Sequence, residues 1–420
     1  MKIIQSYWSK PLLSANKSVE QNRFNGGWRN FRYCLLSMAY SCLTISRFYP
    51  EIELYTDDYG LKLLRDDLKL PYAKFHTDLN NINSIDPAFW AYGKIYTYSL
   101  QNKPFLHIDN DIFIWKKFSQ EVMNAKVICQ NVEWINPQNT NDYIDVMKYV
   151  CNKMQNVPDI LRQSSVTYAG NMGIFGGNDI EFIHSYTAES MSCFNKMYDD
   201  MLASGNMKGK FNIIFEQLLL MEIAMMKGKQ LDYLMEESDT SDISKYFTIE
   251  SAQYEEKFVH CLGALKTSDF ICEQIEYRMK YEYPRYYETI LSYLDGFGMK
   301  FPENELSMEK YSEFSNVYSH IRCAKDREEI MNNYVVRLKD AYSVDNLEGK
   351  YFIVSSEGKR ELKNWGKFLV FFNRSIKGEE LSQYIYNENL LHGFTLERIR
   401  DCIFHLILQE LYMTRFLEIV

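Results

Sequence analysis

Two carboxylates stand in unusual surroundings in this sequence. Asp109 and Asp111, separated by Asn110, follow the apolar run Phe105-Leu106-His107-Ile108 and precede Ile112-Phe113-Ile114. Aspartate is rarely buried unless it is paired or bound to a metal. In a regular strand, residues i and i+2 face one side, and at a strand end the backbone can turn. Either geometry lets both carboxylates address one ion, directly or through water. Hard oxygen ligands suit Mg²⁺ or Mn²⁺. Such an ion can bridge a diphosphate and stabilise negative charge on a leaving group. The competing reading is a solvated turn, and the apolar flanks weigh against it.

A second constellation lies far downstream, in Val259-His260-Cys261-Leu262-Gly263-Ala264-Leu265-Lys266. The pattern is H-x-x-G-x-x-K. An imidazole can join two carboxylates on Mn²⁺, which accepts nitrogen ligands. Gly263 permits close approach of the backbone to a phosphate. Lys266 brings a compact positive charge to that phosphate. Taken alone, a single histidine beside an apolar stretch, such as His260, is more often structural.

The elements that must position these groups alternate between strand and helix. Ile3–Tyr7 and Ile52–Thr56 read as strands, and Phe105–Ile114 as one buried strand. Residues 31–48, 61–68 and 90–100 read as helices between them. This alternation predicts an α/β fold with a mixed, mostly parallel sheet covered by helices. Ligands bind such sheets beyond the carboxyl ends of strands. Residues 140–165 are polar and mostly helical, and Tyr168–Asn178 is a glycine-flanked apolar strand. Phe211, Ile214, Phe215, Leu218 and Met221 mark one face of a buried helix.

The character changes near residues 300–310, around Pro302. We therefore expect a catalytic domain over 1–300 and an accessory domain over 305–420. In the second, 305–342 reads as helical and charged, Tyr351–Ser355 and Phe368–Phe372 as strands, and Gly378–Tyr386 and Thr395–Leu411 as helices. An extended end follows, giving a small α+β module of winged-helix-like make-up.

The bulk properties exclude some partners. The net charge is −9, with Lys and Arg scattered, so no basic stripe for nucleic acid is visible. Aromatic residues reach 15%, with 32 Tyr, a surplus read mainly as core and strand material. The nine cysteines show no C-x-x-C pair and sit mostly in apolar surroundings, which predicts free thiols in a reducing compartment. No apolar run approaches the roughly 20 residues that cross a bilayer, and the N-terminus lacks the features of a signal peptide. The longest candidate, Cys34–Ile45, is interrupted by Ser37 and Ser41. A cytoplasmic protein without a transmembrane segment is expected.

In order and spacing the motifs resemble those of GT-A nucleotide-sugar glycosyltransferases, especially retaining families related to glycogenin and to bacterial galactosyltransferases. The resemblance covers about residues 1–290. It is carried by Tyr7 on the opening strand, Lys94 in Trp90-Ala91-Tyr92-Gly93-Lys94-Ile95, the D-x-D strand and H-x-x-G-x-x-K. Tyr168-Ala169-Gly170-Asn171-Met172-Gly173 looks like that family's Asn-x-Gly strand. The segment Phe105–Trp115, with the upstream Trp-x-x-x-Lys helix, is also similar to an uncharacterised family of Bacteroidetes-type bacteria. Where the glycosyltransferases often carry an Asp-Gln pair, this chain has Glu216-Gln217. Residues 131–165 match no named pattern.

The resemblance implies a metal-dependent hexosyltransferase. It would use a nucleoside diphosphate sugar, UDP-sugar first, and a saccharide or peptide acceptor, with retention. Asp109, Asp111 and His260 would hold Mn²⁺ or Mg²⁺. Tyr7 would cradle the base, Lys94 would contact the nucleotide or a phosphate, and Asn171 and Gly173 would line the sugar site. Gly263 and Lys266 would serve the diphosphate. Asp57 fits either a hydrogen bond to base or ribose, or a capped turn. Glu216 or Gln217 fits either a place near the anomeric carbon or the polar edge of a core helix. The alternatives are a non-catalytic scaffold of the same fold and a phosphohydrolase of the haloacid dehalogenase type.

Overall fold

Four short strands, β1 (Lys2–Tyr7), β2 (Glu53–Thr56), β3 (Lys74–His76) and β4 (Phe105–Ile108), form the parallel half of a seven-stranded sheet. In this computed structural model the described residues are 1–13, 26–135, 141–235, 258–263, 266, 269–296, 327–347, 349–356, 358–362, 364–412 and 416–420. β5 (Ile112–Ile114) leaves the sheet. It is completed by β6 (Ile128–Trp134), β7 (Tyr168–Gly177) and β8 (Asp232–Tyr233) in the order β3-β2-β1-β4-β7-β6-β8. β7 runs antiparallel to both β4 and β6, and β8 runs parallel to β6. The mixed, mostly parallel sheet flanked by helices predicted from the sequence is therefore observed.

The expected single strand 105–114 is broken in two. β4 stays in the large sheet, whereas β5 pairs antiparallel with β9 (Phe258–His260), opposing Ile112 to His260. Asp109, Asn110 and Asp111 form the turn between them, closed by the Ile112 amide donating to the Asp109 carbonyl at 3.2 Å. This break is what brings the two sequence motifs together.

The Phe31–Ser46 helix starts at Asn30, whose side chain accepts from the Tyr33 amide. Every residue from Arg32 to Ile45 is buried, so this is a helix covered on all sides. It packs on β5 and on the Pro284–Gly296 helix. The expected helix at 61–68 is a π-helix over Lys62–Asp67. The expected helix through Phe211–Met221 is segmented into a 3₁₀ turn (Gly205–Phe211), a π-turn (Ile214–Leu218) and an α-helix (Leu219–Met226). All five marker residues are nonetheless buried. Much of the aromatic surplus sits in this core, where Tyr98 lies 4.9 Å from Phe175 and Phe194 lies 4.9 Å from Phe215, ring centre to ring centre.

The described residues divide into two units, one of Met1–Lys266 and Ile275–Lys300, the other of Thr267–Gln274 and Phe301–Val420. The second has its own apolar core around Leu369, Phe372, Ile385, Ile403 and Ile407. It contains two antiparallel sheets of three strands each. β10 (Val335–Leu338), β11 (Ser343–Leu347), β12 (Lys350–Ser355), β13 (Gly358–Leu362), β14 (Ile376–Lys377) and β15 (Leu417–Ile419) are ordered β14-β10-β15 and β11-β12-β13. Helices Gly378–Asn387 and Leu396–Tyr412 lie close to their expected places. Phe368–Phe372 is not a strand; it belongs to a 3₁₀ helix, Asn364–Asn373, because burying Leu369 and Phe372 together needs a three-residue period. Within the expected helical stretch 305–342, residues 335–338 form β10; residues 305–326, the Pro302 boundary and Cys323 lie outside the described residues.

Among the described residues no helix is long and apolar enough to cross a membrane. The described cysteines are free thiols, and all but Cys151 and Cys402 are buried.

Two glycines test the packing of β7. A Cβ on Gly176 would collide with the Phe105 carbonyl and lie 2.9 Å from Leu106 Cα, whereas one on Gly205 would meet nothing within 4 Å. Gly205→Ala should lose only the strain of its positive φ, about 1 kcal/mol. Gly176→Ala should lose about 3 kcal/mol or more through overpacking. Equal falls in melting temperature would contradict the close β4–β7 contact.

Candidate metal centre

The D-x-D turn is anchored through its own backbone. The Asp109 amide donates to the Gly173 carbonyl at 2.8 Å, and the Cys261 amide donates to the Asp111 carbonyl at 3.0 Å. Gln5 Nε2 donates to the Asp109 carbonyl at 3.3 Å, and Ser37 Oγ to the Asn110 carbonyl at 3.2 Å. Asn110 Nδ2 donates to the Ser6 carbonyl at 2.8 Å. Ser41 accepts from Gln5 Nε2 at 2.9 Å and donates to the Ile112 carbonyl at 2.6 Å. These bonds explain the two serines in the otherwise apolar Cys34–Ile45 run: buried carbonyls must find donors.

With the turn held in this way, one ligand atom from each of Asp109, Asp111 and His260 lies within 4.8 Å of the others. Asp111 Oδ1 is 3.3 Å from His260 Nε2. The Asp109 and Asp111 side chains are 22% and 13% exposed and that of His260 is 3% exposed, so the cluster opens on its carboxylate side. Two carboxylate oxygens and an imidazole nitrogen are a chemically coherent donor set for a divalent cation.

Two lysines balance the carboxylates. Lys94 is buried, and its ammonium faces Asp109 Oδ2 at 3.0 Å, Glu216 Oε1 at 2.5 Å and the Met172 carbonyl at 3.1 Å. Three N–H groups thus meet three acceptors. Burial works against this charge, but Asp109 and Glu216 outweigh it and keep Lys94 protonated. Lys266 Nζ lies 2.5 Å from Asp111 Oδ2 and donates to the Gly26 carbonyl at 3.0 Å. Burial alone would raise Asp111, yet Lys266 and His260 hold it far below the usual carboxylate range. Asp109 moves the other way: burial pushes it up, with Lys94 opposing.

This geometry lies within a segment that can be placed among known proteins. Residues 1–293 match the model of a family described as of unknown function, DUF6734. The chain belongs to the DUF6734 family. No curated protein matches this DUF6734 chain. Among solved structures it is similar to the glycosyltransferase GlyE of Streptococcus pneumoniae, with 10% identity and a TM-score of 0.31, over 72% of this chain and 66% of that one, just under two thirds. It is also similar to mouse xyloside xylosyltransferase 1 in its apo form, with 10% identity and a TM-score of 0.32, over 62% of this chain and 96% of that one.

The other expected site residues of this DUF6734 protein take several different structural places. Asn171 and Gly173 share one face of β7 and adjoin the centre. Asn171 Oδ1 accepts from the Gly173 amide at 3.0 Å, and a Cβ on Gly173 would run into the His260 ring and Gln130 Oε1. Gln217 contacts the Tyr143 hydroxyl, which donates to Glu133 Oε2 at 2.8 Å, while Asn171 Nδ2 donates to Glu133 Oε1 at 2.7 Å. Glu133, Tyr143 and Gln130 went unread in the sequence; they fall at or near the 131–165 stretch, which carries no motif. Glu216 is fully buried behind Lys94, turned inward by the π-turn.

Asp57 is the capped turn: Ser9 donates to Oδ2 through N and Oγ at 2.8 and 2.7 Å, and the Gly60 amide donates to Oδ1 at 2.8 Å. Tyr7 packs its ring against Gly60, with its hydroxyl buried. Gly263 adopts φ +47°, a left-handed conformation suited to glycine.

Burial pushes the Glu216 carboxyl up to about 7, with Lys94 pulling down and Asp109 pushing up. The folded chain therefore holds a proton that the unfolded chain has released. That stability is present below the ordinary value of 4.5 and is lost as pH rises through about 7. Glu216→Gln removes the titration. The melting temperature of the wild type relative to the variant should fall across this window and be level outside it. A constant difference would mean that Glu216 does not ionise there.

Proposed function

We propose that this protein is a metal-dependent glycosyltransferase of the GT-A type, moving a sugar from a nucleoside diphosphate sugar to a saccharide or peptide acceptor. The observation that carries the reading is the convergence of Asp109, Asp111 and His260 within 4.8 Å, with Lys266 beside Asp111. Two motifs distant in sequence meet there, and each supplies what a diphosphate leaving group requires. A divalent ion bound at this centre supplies Lewis-acid stabilisation of the departing diphosphate.

The chain's own residues divide the remaining work. Lys266 stands ready to exchange Asp111 for a phosphate oxygen and so to neutralise the leaving group. Lys94 holds Asp109 in place, and Glu216 acts from behind as the positioning partner of Lys94. Gln217, Asn171 and Glu133 form a hydrogen-bonding row on the β7 side that suits sugar hydroxyls. Gly263 lets the backbone approach a phosphate. The uracil nucleotide, Mn²⁺ as the ion, and retention of configuration are taken from the motif resemblance. A cytoplasmic setting follows instead from the cysteine usage, and the assignment of 1–300 to catalysis and 305–420 to acceptor or partner recognition from the change of character near residues 300–310.

The test is thermal stability against a panel of nucleoside diphosphates, with and without Mn²⁺, for the wild type and Asp111→Ala. A ligand that binds only the folded state raises the melting temperature. One diphosphate should give a shift that needs Mn²⁺ and vanishes in the variant. The matching donor sugar should then be turned over, and Asp111→Ala should reduce kcat/KM by at least about 10²–10³-fold. No shift with any diphosphate would overturn the reading; binding without turnover would leave a non-catalytic member of the fold.

A further inference from the structure

Gln130, on β6, is fully buried, and its Oε1 lies 2.7 Å from His260 Nδ1. The orientation of its amide follows from its neighbours. Asn131 Nδ2 donates to the Val132 carbonyl at 3.0 Å, an oxygen that can only accept. Asn131 Oδ1 is therefore the end that accepts from Gln130 Nε2, at 3.0 Å. This leaves Gln130 Oε1, an acceptor, for the imidazole. The ring must carry a proton on Nδ1, and in its neutral form it presents the lone pair of Nε2 to Asp111 Oδ1, 3.3 Å away. Two electron-rich atoms facing each other call for a cation between them, either a proton on Nε2 or a metal ion. Gly173 leaves room at that same edge of the ring, because a Cβ there would run into His260 Nδ1 and Cε1 and into Gln130 Oε1.

We propose that Gln130 is a positioning residue of the metal centre: it commits His260 Nε2 as a nitrogen ligand and so makes the centre prefer a nitrogen-accepting ion such as Mn²⁺ over Mg²⁺. The inference rests on reading Asp109, Asp111 and His260 as metal ligands. Mg²⁺ seeks near-octahedral oxygen and keeps its waters, whereas imidazole suits transition ions. Partners that orient a metal-bound histidine tune its affinity in this way.

The experiment is Mn²⁺ binding to the full chain without nucleotide, followed by the electron paramagnetic resonance of free Mn²⁺, with Mg²⁺ as competitor. Gln130→Met keeps the length of the side chain and removes the acceptor; Gln130→Glu keeps the acceptor. Gln130→Met should weaken Mn²⁺ about 10–100-fold and change Mg²⁺ by no more than about threefold, whereas Gln130→Glu should stay near the wild type. If Gln130→Met does not fold, Gln130→Asn, which withdraws the acceptor by one methylene, should show the same narrowing of the Mn²⁺/Mg²⁺ ratio. Unchanged Mn²⁺ affinity and ratio in these variants would overturn the proposal and leave the metal centre standing. Equal losses for both ions would also overturn it, since Gln130 would then be only a packing residue. Failure of the wild type to bind Mn²⁺ at all would remove the metal reading and this inference with it.

Discussion

Gathering two aspartates and an imidazole into less than 5 Å is the constraint on which the rest of this architecture depends. Two like charges about 5 Å apart repel by about 3 kcal/mol at an effective dielectric near 20. The fold answers with one lysine for each carboxylate, and the two lysines are fixed differently. Lys94 belongs to the core, with its three N–H groups directed at Asp109, Glu216 and the Met172 carbonyl. Lys266 belongs to the segment after β9 and is shared between Asp111 and the Gly26 carbonyl. The first fixes the geometry of the site, and the second is the charge that can change partners.

The turn that presents the aspartates has an equally specific support. The Asp109 and Asn110 carbonyls accept from Gln5 and Ser37, the Asp111 carbonyl from the Cys261 amide, and Ser41 serves the Ile112 carbonyl that follows. The polar interruptions in the buried Phe31–Ser46 helix are thus part of the site. They also account for one covered face of that helix, which lies against β5 to deliver its hydroxyls.

What could be read from the sequence were groups whose chemistry is carried by close spacing. Asp109 with Asp111, and His260 with Gly263 and Lys266, announce themselves because each set lies within a few residues. The β–α alternation before residue 130 likewise fixes the parallel strands. The turn within 105–114 was hidden, because the residue that pairs with Ile112 is His260, far along the chain. Gln130, Glu133 and Tyr143 were hidden for the same reason: their partners are set by the β6–β7 register and by the packing of the Asn141–Lys153 helix. Glu216 sits on a periodic apolar pattern, and no such pattern records that a π-turn rotates it toward Lys94. In sequence Asp57 fits a cap somewhat better than a contact with base or ribose; the fold shows the cap, with three hydrogen bonds from Ser9 and Gly60.

The pairing of β5 with β9 also orders events during synthesis. Asp109 and Asp111 leave the ribosome about 150 residues before His260 and Lys266. At roughly 5–20 residues per second, that interval is on the order of ten seconds. Throughout it the nascent chain holds Lys94 but neither the imidazole nor the second ammonium, and β5 has no partner strand. The candidate metal centre is therefore assembled after translation of the first unit is nearly complete, by the docking of one short ribbon.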